Sequence, residues 1–269
     1  MTRLLKDLVK KVFAAAGIRI SRIPPESVQE TPTQAPPPPA RYDQDGLITI
    51  HNDHFRRTPS FRAAYQRGVE ASNGVDSAFE WRVHVALWAA KMSLRVPGDF
   101  IECGVNSGFI SSAIMQHLHW NSVERRFFLI DTFKGPPLDQ YDSVEIERGR
   151  RRVAEDALAA GAYVTDLARV QQNFAEWPNA IITQGVVPDV LPEISTNQVA
   201  FLHLDMNCAH PERAALQFFW QRLSPGAIVL LDDYTYFGYE QQTSVIDAVA
   251  ETIGAEILSM PTGQGIIMK

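Results

Sequence analysis

Cysteine is scarce in this chain. There are two, Cys103 and Cys208, with no CxxC and no Cys/His spacing of the zinc-binding kind. That argues against a disulfide framework and a cysteine-based metal site, and it suits a reducing, cytoplasmic setting. Long apolar runs are also missing: no uncharged stretch reaches the roughly 18 residues of a membrane span, and the run from Val12 to Ile18 is broken at once by Arg19, which argues against a secretory signal. Positive charge is in short supply, with 25 Lys and Arg against 31 Asp and Glu and a net charge of −6. No long basic face lies in the body of the chain, so nucleic acid is not expected as a partner. Neither GxGxxG nor GxxxxGK occurs, and neither NAD nor ATP is favoured. No Tyr-x-x-x-Lys occurs, which removes the proton-donating pair of a short-chain dehydrogenase.

What is present divides into four segments. Over residues 1–22, Leu4, Leu5, Leu8, Val9, Val12 and Phe13 fall on one half of a helix and Arg3, Lys6, Asp7, Lys10 and Lys11 on the other. Such a basic amphipathic helix predicts peripheral contact with an anionic inner membrane face, or docking on a protein surface. Residues 23–41 hold seven prolines from Pro24 to Pro39 and read as an extended linker. Residues 42–97 read as a helical lid or oligomer contact, with helices over 61–70 and 77–94; His51, His54, Arg56 and Arg57 are candidate acceptor contacts there. Residues 98–269 read as the main domain.

In that domain short apolar runs alternate with helical patterns. The strands are predicted at 99–103, 126–130, 180–183, 199–204 and 227–231, with a helix from Glu145 to Ala160 carrying Arg148, Arg150, Arg151 and Arg152. Solvation explains that arginine run, a role over a bound anion being the alternative. The alternation predicts an α/β fold: a mostly parallel sheet with helices on both faces. The last strands, AEILSMP and GQGIIMK, form an antiparallel hairpin, unlike an all-parallel dinucleotide-binding sheet.

Ligands of open α/β sheets bind beyond the carboxyl ends of the strands, so the residues after each run carry the functional reading. After the first strand comes Glu102-Cys103-Gly104-Val105-Asn106-Ser107-Gly108, opening onto a helix. After the second comes Asp131, placed to accept hydrogen bonds from a ribose diol. A glycine loop, a helix and then an acid indicate a nucleoside cofactor, and without a phosphate cradle S-adenosylmethionine suits best. Two further runs end in acid, Asp205 after VAFLHL and Asp232-Asp233 after AIVLL.

The blocks VPGDFIECGVNSGFISSAIM, FFLIDTFKGPP, LHLDMN and LSPGAIVLLDDY occur in the order in which they occur in the macrocin and mycinamicin O-methyltransferases. From about His51 to the C-terminus the chain resembles that family of class I, Rossmann-like enzymes acting on the sugars of natural products. The resemblance implies Mg²⁺ held by Asp205, Asp232 and Asp233, a sugar or glycan hydroxyl as acceptor, and cofactor contacts from Glu102, Gly104, Val105, Gly108, Asp131 and Gly185. A homo-oligomer is a further expectation. Asp205 is then both metal ligand and part of the catalytic apparatus. One departure stands out: the family's proposed base is the second acid of Asp-x-Asp, and here Asn207 occupies it. An amide cannot take a proton. His210, His203, Tyr234 and Tyr236 are the candidates to replace it, or the acceptor is acidic enough to need no strong base. Two other readings stay open: a catechol-type O-methyltransferase, whose usual ligands are Asp, Asp and Asn, and a methyltransferase-like binding protein that has lost its chemistry.

Overall fold

The structure, a computed structural model, describes residues 38–269. The amphipathic segment 1–22 and most of the proline-rich linker lie outside the described residues. The described chain opens on a two-stranded antiparallel hairpin, β1 (Tyr42–Gln44) and β2 (Leu47–Thr49). Its turn residues Asp45 and Gly46 both take positive φ, 51° and 72°, the requirement that selects Asp-Gly in tight hairpins. The sequence predicts helices over 61–70 and 77–94 within segment 42–97; the hairpin precedes them.

Then come α1 (Pro59–Ala71), α2 (Glu80–Ser93), β3 (Asp99–Cys103), α3 (Phe109–His117) and β4 (Phe127–Asp131). The connection to β5 (Ala180–Gln184) holds α4 (Ser143–Glu147), α5 (Arg150–Ala159) and α6 (Leu167–Phe174). The single helix expected from Glu145 to Ala160 is thus two. Gly149, at φ 79°, turns the chain between them through a conformation that costs glycine little. After β6 (Val199–Leu204) follow α7 (Ala209–Trp220), β7 (Leu223–Leu231), α8 (Glu240–Ile253), β8 (Leu258–Ser259) and β9 (Gly265–Met268).

The main sheet runs β5-β4-β3-β6-β7-β9-β8, parallel from β5 to β7 and antiparallel at β9 and β8. Fold class and closing hairpin agree with the sequence reading. β7 begins earlier than expected, because Leu223 pairs with Val199 and the register then shifts before Ile228 meets Phe201. Ser224 to Ala227 bulge there, which is how Pro225 and Gly226 fit a central strand.

Side chains alternate between the two faces. Phe100, Phe127, Leu129, Phe201 and Leu230 pack beneath α1, α2, α3 and α6, whereas Ile101, Phe128, Leu202, Val229 and Leu231 pack beneath α7 and α8. Each large side chain removed from water contributes roughly 1.5–3 kcal/mol, and all six residues of β6 are buried. That burial on both faces fixes where the strand ends lie between the two helical layers.

Candidate active site

Strand register brings the acids together. Cys103 pairs with Leu204 and Leu204 with Leu231, so the next residues, Gly104, Asp205 and Asp232, stand level at the ends of three adjacent strands. The order of strands reverses between β3 and β6, and an open sheet binds its ligand at such a point. Alternation along β6 and β7 puts Phe201, His203 and Asp205, with Ile228, Leu230 and Asp232, on the face that α2 covers. Asp233 follows, and the three carboxylates share a pocket with Phe79, Arg82, Asn207, Tyr236 and Tyr239.

Arg82, on α2, reaches down into the acids. It pairs with Asp232, with Asp233 at 3.2 Å and with Asp45 of the hairpin tip at 2.9 Å. Asp45 also accepts from the Tyr236 hydroxyl at 3.0 Å. Glu102 and His203, opposed in register, form a buried pair at 2.9 Å, and the other ring nitrogen of His203 lies 3.6 Å from Asp232. Gln264, from the loop before β9, donates to Asp232 at 2.8 Å.

The electrostatics follow from these contacts. Burial works against the charge of His203, but Asp232 and Glu102 prevail and push it up to about 10. For Asp232 burial is overcome by Arg82 and His203, which hold the carboxyl below its usual range. Asp233 goes the other way, pushed up to about 6 by burial and the Asp232 charge. Asp205 is raised well above the usual range by burial and by both neighbouring carboxylates.

Atoms of His203, Asp205 and Asp232 lie within 4.8 Å of one another, but both ring nitrogens of His203 face carboxylates, Glu102 and Asp232, and hold the ring protonated. The carboxylate oxygens are the donors that suit a hard divalent ion. Arg82 neutralises only part of the acid charge, and it lies against Asp232 and Asp233, so a metal drawing on Asp233 competes with the guanidinium.

A second cleft opens beside the acids. Its walls are Gly104 and Asn106 after β3, Asp131 and Thr132 after β4, Pro136 and Pro137, Tyr163 and Val164, Gly185 and Val187 after β5, and Asp205 and Met206 after β6. The Asp131 carboxylate accepts from the backbone amides of Val105, Asn106 and Phe133 at 2.8, 2.9 and 2.7 Å, so it clamps the glycine loop as well as facing the cleft. Asn106 in turn bonds Ala162 and Val164 and holds the loop carrying Tyr163 at the mouth. Gln140 donates to the Val187 carbonyl and leaves its buried Oε1 without a partner among the described residues. An acceptor waiting beside apolar walls fits a nucleobase amino group.

The other residues singled out by sequence take varied places. Gly104, at φ 92°, abuts the Asp205 carbonyl so closely that a Cβ would overlap it. Gly108, the N-cap of α3, packs on Phe174 and Gly185 on Val190. Glu102 sits beneath the acid pocket, away from the second cleft. Asn207, at φ 58°, donates to Asp205 at 3.2 Å and accepts from the Tyr239 hydroxyl. His210 turns toward Arg213 at 3.5 Å and does not line the acid pocket. Arg56 and Arg57 pair with Asp53, and Arg56 also with Glu80, outside both clefts. Arg82, Asp45, Tyr239 and Gln264 were not anticipated from sequence; only Asp45 had a local signal, the Asp-Gly turn.

Residues 85–251 match the family described as Macrocin-O-methyltransferase (TylF). A tetracenomycin-pathway relative from Streptomyces olivaceus, 8-demethyl-8-(2,3-dimethoxy-alpha-L-rhamnosyl)-tetracenomycin-C 4'-O-methyltransferase, is 27% identical over 177 residues, 60% of this chain and 65% of that one. Mycinamicin III 3''-O-methyltransferase of Micromonospora griseorubida is 27% identical over 148 residues, 52% of this chain and 56% of its own length. The chain therefore spans less than two thirds of these curated relatives. Among solved structures, the O-methyltransferase NovP shares the fold at a TM-score of 0.58 and 18% identity, over 70% of this chain and 79% of that one.

Proposed function

The chain belongs to the macrocin-O-methyltransferase (TylF) family, and we propose that it transfers the methyl group of S-adenosylmethionine to a hydroxyl of a sugar or glycosylated natural product. One observation carries the reading: Asp205 lines both the nucleoside-type cleft and the acid pocket. A methyl donor in the first and an acceptor in the second meet at that residue. Holding the two in line can supply ~7–11 kcal/mol in favourable cases, and the chain's own task is positioning and proton removal.

Gly104, Asp131, Gln140 and Tyr163 would hold the cofactor, which brings an electrophilic methyl when bound. Asp205, Asp232 and Asp233 would hold a magnesium ion, whose charge acidifies a hydroxyl beside it. Asn207 does no proton chemistry. With Tyr239 it fixes Asp205 Oδ1, and Oδ2 accepts no hydrogen bond among the described residues. Asp205 is the carboxylate we assign to receive the hydroxyl proton, and His210, facing Arg213, has no part in it.

Calorimetric titration with S-adenosylmethionine tests the first half of this reading, and Mn²⁺ titration followed by electron paramagnetic resonance tests the second. Asp131→Ala should weaken cofactor binding by tenfold or more, on the order of 1.4 kcal/mol, through collapse of the clamped loop. Asp205→Asn should leave cofactor binding in place and abolish methylation of glycosides. A wild-type protein that binds neither ligand would refute the proposal.

A further inference from the structure

The arginines at the start of α5 are not equivalent. Arg148 pairs with Glu240 at 2.6 Å, Arg151 with Glu155 at 3.0 Å and Arg152 with Asp156 at 3.9 Å. Arg150 pairs with no carboxylate and donates no hydrogen bond among the described residues, although it is half-buried. Its guanidinium carbon lies 3.6 Å over the ring of Tyr239. Tyr239 walls the acid pocket, and its hydroxyl holds Asn207, which holds Asp205. The break at Gly149, φ 79°, is what sets Arg150 at this rim instead of along the solvated line of a continuous helix.

A stacked guanidinium is oriented by the ring beneath it and keeps its in-plane N–H donors for a ligand, and a fork of donors matches a carboxylate or phosphate. The location distinguishes acceptor from cofactor. Arg150 lies against Tyr239 and the backbone of Gly238, in the loop that follows Asp233, whereas the cofactor cleft is built mainly from residues after β3, β4 and β5. An acidic molecule entering beside three carboxylates also needs a cation to meet it, and Arg82 is already taken up by Asp45, Asp232 and Asp233.

We infer that Arg150 is a specificity residue that binds an anionic group, carboxylate or phosphate, on the sugar acceptor. The inference rests on the methyl-transfer reading and narrows its substrate class to acidic sugars. Its test is calorimetry on the full chain loaded with S-adenosylhomocysteine, titrated in parallel with methyl glucoside, methyl glucuronide and glucose 1-phosphate. The wild type should bind an acidic probe about tenfold more tightly than the neutral one. Arg150→Gln should erase that preference and Arg150→Lys should keep part of it, since lysine retains the charge without the fork. Preference for the glucuronide or for the phosphate identifies which anion is read. Equal binding of neutral and acidic probes, no binding of acidic probes at millimolar concentration, or an Arg150→Gln effect on S-adenosylhomocysteine alone would overturn the inference. Failure of S-adenosylhomocysteine to bind the wild type would instead strike at the methyl-transfer reading beneath it.

Discussion

Arg82 and Gly104 show how much of the site depends on single residues. Arg82 gives its charge to three carboxylates and lies largely out of water. Replacing it by methionine takes the guanidinium from Asp45 and Asp233 and leaves Asp232 with His203 alone, and breaking a buried pair in this way costs about 3–5 kcal/mol. Urea denaturation should register that loss for Arg82→Met, and because the competing guanidinium is gone, Mn²⁺ should restore more stability to the variant than it adds to the wild type. Gly104 is limited by shape. A methyl group there would overlap the Asp205 carbonyl oxygen, and the positive φ adds strain. Gly104→Ala should therefore displace the end of β6, lower the melting temperature and depress cofactor affinity together, whereas an alanine at Gly46, where a Cβ meets nothing within 4 Å, should leave cofactor affinity untouched.

Among the α-helices of the described residues α4 is the shortest, and its stability depends on its cap. Asp142 accepts from the Glu145 amide at 2.9 Å while Glu145 accepts from the Asp142 amide at 3.0 Å, a reciprocal box. Asp142 also receives Gln241 of α8 at 2.7 Å. Asp142→Ala should cost about 1 kcal/mol for the cap and somewhat more through Gln241, measurable as a lower urea midpoint with an unchanged slope. The strands were legible in sequence because burial on both faces imposes continuous apolar runs, as in VAFLHL. The acids at their ends were legible because strand length fixes where each run stops. Other elements were hidden for identifiable reasons. Gly149 interrupts a helical pattern without changing its period, so two helices looked like one. The start of β7 was hidden because Pro225 and Gly226 bulge between Leu223 and the apolar run at 227–231 from which the strand is read. Arg82 lies within a helix whose polar residues look solvated from sequence, and only the packing of α2 over β6 and β7 turns it inward. Its partner Asp45 sits in the turn between two strands of three residues, too short for alternation to mark the hairpin around it.

Across the whole molecule, the helical layer over the sheet carries its own pH response. His84 stacks on Phe55 with ring centroids 4.0 Å apart. Burial, with the nearby charges of His54 and His117, holds it below the usual histidine range, and burial does the same to His117. The folded chain thus binds fewer protons at these sites than the unfolded one. Their contribution to stability is complete above the unfolded value of about 6.5 and is lost as pH falls through the lower folded values. Denaturation midpoints compared at pH 7.5 and 5.5 should show a smaller acid-side loss for His84→Gln than for wild type.

The hairpin tip has a consequence for how the molecule comes into being. Asp45 and Tyr236 are 191 residues apart, Arg82 and Asp232 are 150 apart, and Gln264 adds its bond to Asp232 after both. Contacts so distant along the chain form late and slowly. During translation Asp45 and Arg82 leave the ribosome long before Tyr236 and the acids of β7, and Asp232 lacks the hydrogen bond from Gln264 until the loop before β9 has been made. The pocket is thus among the last parts of the protein to become native, complete only once synthesis has passed that strand.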